Sequence, residues 1–204
     1  LLSIQVFKLN WKVFVFTFLG FIAVFFNALL GAVVVNSNLI GGIVTAHFIA
    51  AFAAISFFMI AYRYTSNSSE LNIQTKKLSI ALMLFISIQV IIGAFVRESY
   101  DLNYGIMTLN QTIESLYPNL YFHGILGVII MSLSILQLIR SPKNTKAMKN
   151  AKIIAVLSIA QIIIGPLSLN ESFLAISKLF HISFGAGIYV LQFYICTSFL
   201  NYKK

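Results

Sequence analysis

Three imidazoles carry the chemistry this chain can offer. His47, His123 and His181 are its only histidines, and each is followed four residues later by a small residue: Ala51, Gly127 and Gly185. A histidine can ligate a metal, carry a proton, or simply be packed with its nitrogens hydrogen-bonded. Its neighbours decide among these. No Cys, Asp or Glu stands at ligand spacing beside any of the three, which argues against zinc. A proton path would need carboxylates inside the apolar segments, and the segments read from hydropathy contain none. Cys196, the one cysteine, lies in an apolar run and reads as a small buried hydrophobe. The chain therefore has no disulfide framework and no Cys-x-x-Cys-His attachment site.

The elements that must position these residues are membrane helices. The 204 residues are 59% hydrophobic and 9% charged, with a mean hydropathy of +0.92. A helix needs about 20 apolar residues to cross roughly 30 Å of hydrocarbon while satisfying its own backbone. Six such segments are expected, at about 13–35, 41–62, 78–97, 119–139, 153–170 and 174–199, which gives an all-α polytopic membrane protein of three hairpins. The net charge of +9 does not form a nucleic-acid-binding stripe, because the basic residues fall between spans. Lys8 and Lys12 precede the first segment. Arg63, Lys76 and Lys77 follow the second, Arg140, Lys143, Lys146, Lys149 and Lys152 follow the fourth, and Lys203 and Lys204 end the chain. The other three connections are uncharged, mostly acidic, or hold only Glu171 and Lys178. The positive-inside rule then expects both termini in the cytoplasm, in a bacterial-type inner or cell membrane. No signal-peptide pattern is present, and Leu1–Phe7 reads as the end of a longer segment, so that an N-terminal part is expected to be missing. Pro118 is expected to open the fourth helix, and Pro166 to bend or end the fifth.

A repeat links the hairpins. The odd-numbered helices end in Asn27-Ala-Leu-Leu-Gly31, Gln89-Val-Ile-Ile-Gly93 and Gln161-Ile-Ile-Ile-Gly165, each with an amide four residues before a glycine. That spacing puts both on one helix face. The amide should point into the bundle, and the glycine admits a neighbouring helix or ligand. The even-numbered helices each carry one histidine in their first two turns. From glycine to histidine the gap is 16 residues in the first and third hairpins and 30 in the second, where a polar loop at Arg97–Tyr117 adds length. The three imidazoles are thus expected at one depth in the outer leaflet, where an unpartnered polar group is costly. Two facing imidazoles can fill both axial positions of a haem iron, and the small residue one turn on leaves room for a flat macrocycle. Arg97, against the positive-inside trend, has two readings: it pairs with haem propionates, or it snorkels and pairs with Glu98 or Asp101.

Leu30-Gly-Ala-Val-Val-Val35 leading to His47, Gln89-Val-Ile-Ile-Gly-Ala-Phe-Val-Arg97 leading to Tyr121-Phe-His-Gly124, and Gln161-Ile-Ile-Ile-Gly165 leading to Leu179-Phe-His181 resemble the last six helices of haem A synthase. The resemblance spans nearly the whole chain and lies in the order and spacing of the hairpins. It implies two pseudosymmetric four-helix bundles and the oxidation of a methyl group of haem O to the formyl of haem A, in the service of cytochrome oxidase assembly. Residues 1–77 would be the second half of an incomplete N-terminal bundle, and residues 78–204 a complete C-terminal bundle. His123 and His181 would be axial ligands of haem b, with Gly127, Gly185 and Arg97 lining that site. His47 would stand at a possible second haem, the substrate or product. The family's first outer loop, with the acidic residue expected to act in the oxidation, has no counterpart, so the resemblance fits either an N-terminally incomplete synthase or a relative that has lost the chemistry. Two non-synthase readings remain: a b-haem-binding subunit or assembly factor of a respiratory complex, and a bis-histidine electron-transfer cytochrome. The expected partners are the lipid bilayer, haem, and cytochrome oxidase or its assembly proteins.

Overall fold

The computed structural model describes residues 11–36, 41–65, 73–103, 106–143, 145–169 and 174–199. Leu1–Phe7 and the end of the chain lie outside the described residues. The chain folds as α1 (Trp11–Asn36), α2 (Ile43–Thr65), α3 (Ile73–Asn103), α4 (Leu109–Ser115), α5 (Asn119–Arg140), α6 (Lys146–Leu167) and α7 (Leu174–Thr197), with no extended strand among the described residues. All but α4 are long and apolar enough to cross a membrane. The protein is an integral membrane protein.

Three boundaries depart from the sequence expectation, each for a local reason. Helix α3 runs six residues past Arg97, because the 2.9 Å ion pair between Arg97 and Asp101 spans one helical turn and makes the charged extension helical. Helix α6 begins at Lys146 rather than near 153. There the Thr145 hydroxyl accepts from the Met148 amide, closing an N-cap that hydropathy does not register. The loop after α3 contains the short helix α4, opened by a capping box in which Thr108 and Gln111 satisfy each other's backbone amides. Pro118 immediately precedes α5, and Pro166 sits in the last turn of α6, whose end it marks.

Helices α3, α5, α6 and α7 pack as a closed ring: α3 against α5 and α7, and α6 against the same two. Leu82, Ile86, Ile130, Ile154, Ile188 and Ile195 fill its centre, with all four helices contributing. Helix α1 packs along α2, and α2 bridges to α3 and α7.

Association inside lipid lacks the hydrophobic drive available in water, so packing and interhelical hydrogen bonds set the register. A buried polar clasp does this in the half of the bundle away from the histidines. The Ser79 hydroxyl donates to Gln137 Oε1 at 3.0 Å, Gln137 Nε2 donates to Gln192 Oε1 at 2.9 Å, and Gln192 Nε2 donates to the Ser79 carbonyl at 2.9 Å. Helix α2 is fixed to the bundle at three levels. Thr45 donates to Glu98 at 2.7 Å, Ser56 bonds the Tyr189 hydroxyl at 2.9 Å, and Arg63 donates to the Thr197 and Ser198 carbonyls at 3.1 Å each. The arginine closes the C-terminal end of α7, where free carbonyls and the helix dipole both favour a cation.

Candidate haem site

The amide–glycine–histidine pattern folds into the same unit in each hairpin. A Cβ built on Gly93 would lie 2.8 Å from His123 Cε1, one on Gly31 would lie 3.1 Å from His47 Cε1, and one on Gly165 would lie 3.3 Å from His181 Cε1. Each glycine is therefore the floor on which the imidazole of its partner helix rests. A larger residue would push the ring away.

The amides hold the same helices from the side. Gln89 Nε2 donates to the His123 carbonyl at 3.0 Å, and Gln161 Nε2 donates to the His181 carbonyl at 2.6 Å. A Cβ on Gly127 would lie 3.5 Å from Gln89 Nε2, and one on Gly185 would lie 3.5 Å from Gln161 Nε2. Gly127 and Gly185 thus lie against the two glutamine amides, at a distance where a methyl would make ordinary contact. In the first hairpin the bond differs, since His47 Nδ1 donates to the Asn27 carbonyl at 3.0 Å. In a neutral ring that bond selects the tautomer whose Nε2 keeps its lone pair, as a metal ligand needs.

Two of the three histidines meet. The His123 and His181 ring centres are 6.0 Å apart with their planes at 58°. An imidazole nitrogen lies about 2 Å from a first-row metal and about 1.1 Å from its own ring centre, so two imidazoles on one ion have centres about 6 Å apart. The observed separation is one at which His123 and His181 together would hold one metal ion. Both rings also carry a buried Nδ1 with no hydrogen-bond partner, and His123 Nε2 has only a long 3.4 Å approach from Gln89. Half-satisfied buried imidazoles are costly, and ligation offsets that cost. His47 stands apart from this pair: no group of three or more His, Cys, Asp or Glu able to hold a metal occurs among the described residues.

Charged residues gather where α3 ends and α7 begins. Arg97 Nε donates to Asp101 Oδ2, while Arg97 Nη1 is buried with no partner. Lys178 lies 3.8 Å over the Tyr100 ring. Glu98 is 4% exposed and accepts from Thr45. The absence of a carboxylate from every span is thereby corrected, because Glu98 and Asp101 both belong to α3, within the membrane-long stretch Lys76–Asn103. Ending that helix at 97 hid them. The signal available was the i, i+4 pairing of Arg97 with Asp101 on a continuing helix.

The family model of the cytochrome oxidase assembly proteins, COX15-CtaA, matches residues 2–192. The chain belongs to that family. Its membership bears out the resemblance to haem A synthase and ties the protein to cytochrome oxidase assembly and to haem. No curated protein and no solved structure matches the chain. For a COX15-CtaA protein the residues present fit a haem: two imidazoles with ring centres 6.0 Å apart, and a buried, unpartnered guanidinium nitrogen on Arg97, one turn beyond Gly93, would serve as its donors.

Proposed function

We propose that the protein is a haem A synthase-like membrane oxidoreductase, oxidising a methyl group of haem O to the formyl of haem A, and that His123 and His181 hold a haem b in the ring of α3, α5, α6 and α7. The 6.0 Å separation of those two rings carries the ligand assignment. When bound, the haem iron supplies the oxidation chemistry, with oxygen-derived species as the oxidant.

The protein's own residues bind and orient. Gly93 and Gly165 set how close each imidazole stands to α3 and α6, Gln89 and Gln161 hold the backbone at each histidine, and Arg97 would pair with a carboxylate of the macrocycle. His47, with its Nδ1 anchored on Asn27, is the ligand offered to a second haem, the substrate or product, in the unit formed by residues 1–77. Residues 78–204 form the haem b unit. The distribution of Lys and Arg supports a cytoplasmic placement of both termini in a bacterial-type cell membrane, and cytochrome oxidase or its assembly proteins are the partners this activity serves.

Supplying haem O to membranes containing the protein, with oxygen and a reductant, is expected to yield haem A by extraction and chromatography. One observation favours a second reading, as a b-haem-binding subunit or an electron-transfer cytochrome: the ring centres of His123 and His181 lie 6.0 Å apart and His47 stands outside that pair. Bound haem b with no haem A formed would select that reading.

A further inference from the structure

A macrocycle held only by two axial imidazoles is free to rotate about the line joining them, so something else must fix its edges. The described structure offers one candidate at the right level. Arg97 lies four residues beyond Gly93, the glycine under His123, and Lys178 lies three residues before His181. Both are therefore about one helical turn, roughly 5 Å along the axis, beyond the imidazole pair toward the same end of the bundle. Helices α3 and α7 are in contact, and Lys178 sits over Tyr100, three residues on from Arg97.

We propose that Arg97 and Lys178 form a two-cation clamp for the haem's carboxylates, one propionate to each, with Asp101 as the arm that holds the arginine in place. The proposal rests on the haem reading above and adds which edge of the macrocycle lies along the seam between α3 and α7. The arginine's geometry supports it. Its Nε edge is taken by Asp101 at 2.9 Å, while Nη1 is buried and unpartnered. An orphaned donor of a charged group is expensive, and a carboxylate is its best partner. Arg97, Asp101 and Lys178 leave one net positive charge when ionised, and Glu98, next in sequence, is drawn toward α2 by its bond from Thr45. Each propionate is matched to one cation by position rather than by net charge, with Asp101 staying on the Nε edge of Arg97.

The test compares haem b with its dimethyl ester, which keeps the iron and the ring but lacks both carboxylates. Haem-free protein in lipid nanodiscs is titrated with each form, as wild type, Arg97→Gln, Lys178→Gln and the double variant. Wild type is expected to bind the free acid at least about tenfold more tightly than the ester, as a charge-assisted hydrogen bond implies. Each single variant should lose roughly tenfold for the acid and little for the ester, and the double variant should bind both alike. Equal losses for acid and ester would make the residues merely structural and overturn the clamp, as would a preference that persists in the double variant. Wild type that binds neither form with a bis-imidazole spectrum would overturn the haem reading and the clamp together. Wild type that binds both forms equally, with that spectrum intact, would overturn the clamp alone.

Discussion

Gly93→Ala is the most informative single substitution, because its consequence can be worked from one distance. The new methyl would lie 2.8 Å from His123 Cε1, against a comfortable carbon–carbon separation of about 3.5–4.0 Å. The ring must therefore move by roughly 0.7–1.2 Å, several times the ~0.2 Å tolerance of a metal–ligand bond. The backbone on either side is helical and gives little, so the imidazole takes the displacement. Overpacking of this kind costs about 1–3 kcal/mol of stability, which a helical membrane protein can survive while losing a ligand. Gly165→Ala meets His181 Cε1 at 3.3 Å, so its ring need shift only roughly 0.2–0.7 Å. The assay is the ferric absorption and paramagnetic resonance spectrum of the purified variants beside their thermal unfolding. Gly93→Ala should convert most of the low-spin six-coordinate signal to high-spin or lose the haem, and Gly165→Ala should do so partially. A full low-spin signal in Gly93→Ala, or a reversed order at equal stability, would refute the claim that the glycines set the ligand positions.

Replacing Gln89 or Gln161 with Leu removes the bond to a histidine carbonyl and should cost about 1 kcal/mol, read as a several-fold rise in the haem dissociation constant. Gln137→Leu or Gln192→Leu alone leaves the other buried amide unsatisfied and should lower stability by about 1–3 kcal/mol, whereas the double replacement should cost less than the sum; thermal unfolding in detergent measures both. Arg63→Ala removes the bonds that close α7 and should cost about 1–3 kcal/mol of stability while leaving the haem spectrum unchanged, which separates this contact from the haem site.

Much of this arrangement was legible in the residues. Hydropathy located the six spans, and the amide and glycine four apart, with one histidine per return helix, located the three units, because a period of one helical turn survives any tertiary detail. Pairing was less legible. Nothing in the repeat says that His123 and His181 meet while His47 stands in its own hairpin, since that depends on α3, α5, α6 and α7 closing into a ring. The repeat also suggested that Gly127 and Gly185 make room for a macrocycle, whereas their nearest polar neighbours are the glutamine amides. The clasp of Ser79, Gln137 and Gln192 went unread for a related reason: isolated amides in apolar runs reveal their partners only across helices. Glu98 was left outside its helix because hydropathy ends a helix at its first charge, although an ion pair one turn apart carries the helix on.

The proposed haem site depends on one iron shared by the imidazoles of His123 and His181. Purified His123→Ala and His181→Ala, compared with wild type for haem-to-protein ratio and low-spin bis-imidazole resonance, test it most directly. Both variants are expected to lose that resonance, and either one retaining it at the wild-type haem ratio would contradict the assignment.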